Sequence, residues 1–226
     1  MILDDARAAG PTSYPWLRPT AVAAPLLLLG YGLLRLVDGL DGHRDKGGWE
    51  WNVGHVLFLL GILVFAALLV QLRGLLGTRS PRAVRARTAR HPAARSPRNG
   101  AVPDVATMAG LAGAVAFVWV IVGDLFPRFA EAVETPDLVF LGGPLLFQLG
   151  LLTLLVLAVR ARMAPVWGPP LVLAGFVAIA VSLDLLPVGA ALVLAGLAPL
   201  TPAPAPAEPA PSGAPRRPGT GRTGRG

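Results

Sequence analysis

Four long apolar runs, each able to cross a lipid bilayer, constrain this chain more than any other feature. A helix needs about 20 mostly apolar residues to cross about 30 Å of hydrocarbon. Such runs occupy residues 19–37, 53–72, 105–123 and 138–159. With 54% apolar and 15% charged residues, the chain is also more apolar than a typical soluble domain. The sequence therefore predicts an all-α fold, a polytopic transmembrane helical bundle.

A fifth apolar region, residues 166–200, is too long to be a single span. Its 35 residues contain one charge, Asp184, and as one helix they would extend about 52 Å. We expect a break at residues 184–189, where a proline removes a backbone donor, a glycine permits a turn and the aspartate prefers water. Two helices, residues 166–183 and 186–200, bring the count to six spans. Because the last helix is short, five spans are the alternative.

The distribution of basic residues predicts the orientation. If the N-terminus is cytoplasmic, 16 of the 20 lysines and arginines fall on the cytoplasmic side, eight of them between Arg73 and Arg98, and three fall in outer loops. Cytoplasmic loops carry such an excess of positive charge. Nine of the 13 acidic residues fall on the outer side. We therefore expect a plasma-membrane protein with both termini in the cytoplasm.

Three polar segments flank or interrupt the membrane domain expected at residues 19–200. Residues 1–18 are interpreted as a cytoplasmic segment rather than a signal peptide, because their charges are largely acidic and no small-residue cleavage motif follows the first span. The basic loop, residues 78–103, is expected to be disordered against anionic lipid headgroups. It lacks aromatic residues, so nucleic acid is not an expected partner. The Pro-, Ala- and Arg-rich tail, residues 201–226, is also expected to be disordered.

The even-numbered spans share a G-x-x-L-x-x-x-G pattern, which indicates three copies of one helical hairpin. The pattern occurs at residues 54–61, 143–150 and 189–196, and a fourth match at 168–175 falls in the fifth span. Shared membrane composition is the alternative explanation. Small residues let helices approach closely in lipid, where no hydrophobic force drives helices together. The faces that they form also favour a homo-oligomer.

Ionisable residues near the outer ends of the spans are the candidate functional residues: Arg35, Asp38, His55, Asp124 and Asp184. Ionisable groups in a membrane are costly and often functional. If the odd-numbered helices are neighbours, the carboxylates and the arginine form a ring beside the histidine that binds a cation or relays protons. Alternatively, all five lie at the membrane interface, where Arg35 extends toward water and pairs with an aspartate. A metal site is disfavoured, because His43 has no recognisable ligand spacing to His55.

Other polar and aromatic residues are given structural roles. Gln148, near the middle of the fourth span, is expected to form an interhelical hydrogen bond rather than to bind a substrate. Trp49, Trp51, Tyr31 and Phe126 are expected to form an outer aromatic belt. The sequence has no cysteine, which excludes thiol catalysis and iron–sulfur clusters, and it contains no recognisable catalytic motif. We therefore expect no enzymatic activity and no cofactor.

Three strings carry a resemblance to known proteins: Trp51-Asn-Val-Gly-His55, the segment from Phe117 to Pro127, and Gly142-Gly-Pro-Leu-Leu-Phe147. They resemble small multi-pass membrane proteins of high-GC bacteria that are generally left without an assigned function. The resemblance implies an integral membrane protein and supplies no active-site residues. Two functions are therefore considered: a non-enzymatic accessory, sensory or structural membrane component, and a small transporter or channel that uses the outer polar cluster.

Overall fold

The structure, a computed structural model, describes residues 15–40, 48–78, 98–133 and 135–201. Within these ranges the chain forms α-helices and one short 3-10 turn, Leu183–Leu185, and no strand. The helices are α1 (Leu17–Asp38), α2 (Trp49–Thr78), α3 (Arg98–Leu125), α4 (Pro127–Ala132), α5 (Asp137–Arg160), α6 (Gly168–Val181) and α7 (Leu186–Leu197). The predicted all-helical fold is confirmed for the described part of the chain.

Helices α1, α2, α3 and α5 are long and apolar enough to cross a membrane, and they coincide with the four predicted runs. Helices α6 and α7 have 14 and 12 residues and extend about 21 and 18 Å. Large apolar side chains also cover the outside of the bundle; Val115 and Leu141 are 67% and 71% exposed. Helices that are apolar on all faces suit a lipid environment, as expected for a membrane protein.

The break between α6 and α7 comes slightly earlier than the sequence predicts. Helix α6 ends at Val181, and Ser182 adopts an extended conformation. The Ser182 hydroxyl then accepts a hydrogen bond of 3.2 Å from the backbone N–H of Asp184. Pro187 lies in the first turn of α7, where its missing N–H leaves no intrahelical bond unmade. The proline therefore begins the last helix, and the serine ends the previous one.

Two other boundaries differ from the prediction. Helix α3 begins at Arg98, so the connection after α2 is shorter than the basic loop expected at residues 78–103. The short helix α4 was not predicted; it starts at Pro127, and its Phe129 packs edge-to-face on Trp119 of α3. The predicted cytoplasmic segment 1–18 and tail 201–226 lie almost wholly outside the described residues, as does the rest of the loop.

Six of the helices pair as three antiparallel hairpins: α1 with α2, α3 with α5, and α6 with α7. Helix α7 also packs on α1, α2 on α3, and α5 on α6, so these six helices form a closed ring. Helix α2 in addition reaches across to α5, where Phe65 meets Phe147 edge-to-face at a centroid distance of 5.5 Å. Each helix therefore contacts its neighbours in chain order.

The glycines of the repeated pattern lie at the contacts within each hairpin. A methyl group added to Gly150 of α5 would lie 2.5 Å from the Ala106 carbonyl oxygen of α3. One added to Gly189 of α7 would lie 2.6 Å from the Gly175 carbonyl oxygen of α6, and one at Gly196 would lie 2.7 Å from that of Gly168. The fourth match in α6 thus supplies the partner surface for α7. Because these small faces are buried within one chain, they are not available to a homo-oligomer.

Two adjacent glycines of α5 test this packing directly. An added methyl group at Gly143 would lie 2.5 Å from the Cβ atom of Ala116, which is fixed to the backbone, whereas at Gly142 the nearest atom is 3.5 Å away on the flexible side chain of Leu138. We expect Gly143→Ala to lower the free energy of unfolding by about 1–3 kcal/mol through overpacking. The control Gly142→Ala should leave it unchanged or raise it slightly, because alanine favours helix.

The measurement is equilibrium unfolding of the two purified variants in the same detergent micelles. The close packing of α3 on α5 is contradicted if the two substitutions shift the unfolding midpoint equally.

Candidate polar site at the carboxylate end of the bundle

The charged residues of the described chain separate to the two ends of the bundle. One end, here called the carboxylate end, carries the acidic residues Asp38, Glu50, Asp124 and Asp137. The opposite end, called the arginine end, carries Arg18, Arg73, Arg160 and Arg162. The exceptions include Arg35 and Arg128 at the carboxylate end and Asp104 at the arginine end, where its carboxylate lies 2.6 Å from Nε of Arg73. The antiparallel pairing brings together charges that are far apart in sequence.

A small cleft opens at the carboxylate end between α1 and α2. It has a volume of about 10 Å³, close to the space that one water molecule occupies. Three of its lining residues share one face of α1 at helical spacing, and three belong to the first two turns of α2. These residues are Tyr31, Arg35 and Asp38 of α1, and Glu50, Trp51 and His55 of α2.

His55 is the most deeply buried polar residue of this site, with 2% of its surface exposed. Its Nδ1 donates a hydrogen bond of 2.8 Å to the Trp51 carbonyl oxygen. Its Nε2 lies 3.5 Å from a carboxylate oxygen of Asp124 on α3. The imidazole ring packs on the Trp51 indole at a centroid distance of 4.2 Å and edge-to-face on Tyr31 at 5.3 Å. His55 therefore links three helices at one point.

Asp124 faces His55 from the end of α3. Its side chain is 42% exposed, and its carbonyl oxygen accepts a hydrogen bond of 3.3 Å from the Trp51 indole N–H. Two contacts thus join the start of α2 to the end of α3. The Arg73–Asp104 ion pair joins the same two helices at the arginine end. The first and second hairpins are consequently connected by polar contacts at both ends.

Arg35 is half-buried in the cleft, and its Nε atom is buried without a hydrogen-bond partner among the described residues. Asp38 lines the same cleft one turn later, but no ion pair joins the two within the described chain. The expected pairing of Arg35 with an aspartate is therefore not found here. A buried N–H without a partner is costly, so the cleft has an unmet donor.

The structure does not form the expected ring of three carboxylates. Helix α1 packs between α2 and α7, whereas α3 packs between α2 and α5, so these two odd-numbered helices are not neighbours. Asp184 lies exposed on the 3-10 turn and does not line the cleft. Four of the five predicted residues do come together, around His55 of α2. Arg35 and Asp38 lie on its α1 side, and Asp124 lies on its α3 side.

Sequence reasoning missed Glu50 and misplaced Tyr31. Tyr31 is only 8% exposed and stacks on Phe58 at 4.9 Å, so it does not belong to an outer belt. Trp51 is half-buried and packs on His55. Trp49 and Phe126 are 63% and 60% exposed, as such a belt requires. The four-residue spacing of Tyr31 to Arg35, and of Trp51 to His55, was the available signal, because residues four apart share a helix face.

The interhelical glutamine is also a different one from that expected. Gln148 is half-buried and forms no interhelical hydrogen bond within the described chain. The side chain of Gln71 of α2 instead approaches α1, where its Oε1 lies 3.5 Å from the Thr20 hydroxyl; that hydroxyl donates its proton to the Trp16 carbonyl oxygen at 2.8 Å. Among the described residues, no group of three histidine or carboxylate side chains is arranged to hold a metal ion.

Comparison with protein-family models, with curated proteins and with solved structures finds no match to this chain. The resemblance to small membrane proteins of high-GC bacteria therefore stays a prediction. The arguments that follow rest on the geometry of the bundle.

The contact between His55 and Asp124 is tested by a double-mutant cycle. We expect His55→Ala to lower the free energy of unfolding by about 1–3 kcal/mol, because it removes a buried hydrogen-bonding side chain. Asp124→Asn should cost less, and the two effects should be non-additive by at least about 0.5 kcal/mol, since the residues are in contact. Unfolding in detergent micelles measures all four proteins.

Asp137→Asn is the control for this cycle, because Asp137 is an exposed carboxylate at the same end of the bundle. Its effect should add to that of His55→Ala. Strict additivity of the Asp124 and His55 substitutions would show that the two side chains do not interact.

Proposed function

We propose that this chain is a six-span protein of the bacterial plasma membrane with both termini in the cytoplasm. We further propose a non-enzymatic accessory, sensory or structural role in that membrane rather than solute transport. The four long apolar helices and the apolar outer surface support the membrane setting. The charge separation between the two ends supports the orientation, since arginine accumulates on the cytoplasmic side.

The contacts of α6 and α7 support six spans over five. At the carboxylate end, Leu186 and Pro187 lie against Gly32 of α1. At the arginine end, the backbone N–H of Thr201 donates a hydrogen bond of 3.1 Å to the Met163 carbonyl oxygen, just beyond the end of α5. The chain from Leu186 to Thr201 therefore passes from one end of the bundle to the other.

One observation carries the preference for a non-transporting role: an aromatic layer crosses the bundle below the polar cleft. Tyr31 stacks on Phe58, Phe58 meets Phe117 at 5.6 Å, Phe117 meets Phe147 at 5.6 Å, and Phe147 meets Phe176 at 6.1 Å. Helices α1, α2, α3, α5 and α6 each contribute one ring. Tyr31 both lines the cleft and begins this layer, so packed aromatic side chains occupy the interior that an ion entering from the cleft would have to cross.

Cysteine labelling tests the topology, because the natural chain has no cysteine. We expect Ser182→Cys and His43→Cys to react with a membrane-impermeant maleimide in intact cells. Arg90→Cys and Gly226→Cys should react only after the membrane is permeabilised. Labelling of position 90 in intact cells would reverse the proposed orientation. Labelling of positions 182 and 226 from the same side would support five spans.

Ion flux through proteoliposomes tests the role. We expect proton and potassium fluxes of wild type to equal those of protein-free vesicles, because the aromatic layer separates the polar cleft from the rest of the bundle. Asp124→Asn and Asp184→Asn should leave these background fluxes unchanged, and added ionophores confirm that the vesicles are sealed. A wild-type flux that Asp124→Asn abolishes would instead establish the transporter or channel.

A further inference from the structure

The cleft at the carboxylate end is lined by side chains of both charges. The buried Nε of Arg35 has no hydrogen-bond partner among the described residues. The carboxylates of Asp38 and Glu50 line the same cleft, one from each helix. A ligand that satisfies this site must accept hydrogen bonds from the guanidinium and donate hydrogen bonds to the carboxylates.

We propose that this cleft binds a zwitterionic phospholipid headgroup that carries a phosphate and a primary ammonium. The ammonium enters the cleft between Asp38 and Glu50, and the phosphate lies against Arg35 at its rim. The proposal rests on the membrane placement proposed above, which brings the carboxylate end to the lipid headgroups. It assigns a role to the end of the protein opposite the arginine-rich loop.

The depth of the cleft fits a lipid headgroup. Arg35 lies in the last turn of α1, three residues before its end at Asp38. Trp49 at the start of α2 and Phe126 after α3 are exposed at the same end, and exposed aromatic residues of this kind mark the headgroup level. Arginine is suited to phosphate because its planar guanidinium donates parallel hydrogen bonds. A lipid phosphate is therefore available at the level of the Arg35 guanidinium.

The carboxylates explain why the headgroup should also carry a positive charge. Among the residues that the structure describes, Arg35 is the sole basic one that lines the cleft, where two carboxylates accompany it. A headgroup with only negative charge would meet Asp38 and Glu50 with repulsion. An ammonium beside them brings three N–H donors to side chains that accept hydrogen bonds. A headgroup with both charges satisfies each partner.

Aromatic packing favours a primary ammonium over a trimethylammonium. A trimethylammonium is usually bound on free aromatic faces. Here Tyr31 is stacked on Phe58, and Trp51 packs on His55. The carboxylates accept hydrogen bonds, so they favour a cation that has N–H donors.

Native mass spectrometry of the full chain in detergent tests the proposal with three lipids of identical acyl chains. Their headgroups are phosphoethanolamine, phosphocholine and phosphoglycerol. We expect the first phosphoethanolamine lipid to bind with a Kd at least about tenfold lower than the Kd of either other lipid. Arg35→Gln and Glu50→Gln should each remove this preference. Arg128→Gln, which changes an exposed arginine of α4 outside the cleft, should preserve it.

Equal Kd values for the three lipids, or an unchanged preference in both cleft variants, would overturn the proposal. Soluble phosphoethanolamine that binds as tightly as the lipid would overturn the lipid as the source of the headgroup. Vesicle flotation distinguishes the absence of a headgroup preference from a failure of the proposed membrane placement. A chain that does not float with vesicles contradicts the proposed function, whereas one that floats without a headgroup preference contradicts the cleft alone.

Discussion

Close approach of helix backbones at glycine is the constraint on which the rest of this structure depends. Lipid removes the hydrophobic force that drives helices together in water, so packing must come from van der Waals contact and hydrogen bonds. Gly143 and Gly150 of α5 and Gly189 of α7 supply that contact, because no side chain separates them from the facing helix. Each hairpin is thereby formed from its own two helices, and the hairpins then assemble into the ring.

Polar and aromatic contacts add to glycine contacts where one hairpin meets the next. Between α2 and α3, polar groups lie at the two ends and aromatic rings in the middle: His55 with Asp124, Arg73 with Asp104, and Phe58 with Phe117. Ring pairs of this kind prefer edge-to-face geometry. The ring contacts continue from Phe117 to Phe147 and Phe176. The aromatic rings that join the hairpins therefore also fill the interior of the bundle.

The sequence predicted which segments are helices but not which helices are neighbours. Hydrophobic run length placed α1, α2, α3 and α5 to within a few residues at most ends, and the repeated glycines indicated the hairpins. Run length carries no information on the order of helices around a bundle. The predicted ring of carboxylates from the first, third and fifth spans is therefore wrong, because α2 separates α1 from α3. Glu50 was missed for the same reason: its role depends on Arg35, on the other helix of the hairpin.

The position of His55 shows why its polar contacts lie at the carboxylate end of the bundle. A buried imidazole requires partners for its nitrogens, and in lipid these must come from the protein itself. His55 finds them in the Trp51 carbonyl and the Asp124 carboxylate, both at the helix ends. One turn deeper, Phe58 replaces it in the same face of α2 and stacks on Tyr31. On this face of α2, aromatic packing therefore replaces polar contacts below His55, and the proposed headgroup would reach the cleft from the carboxylate end.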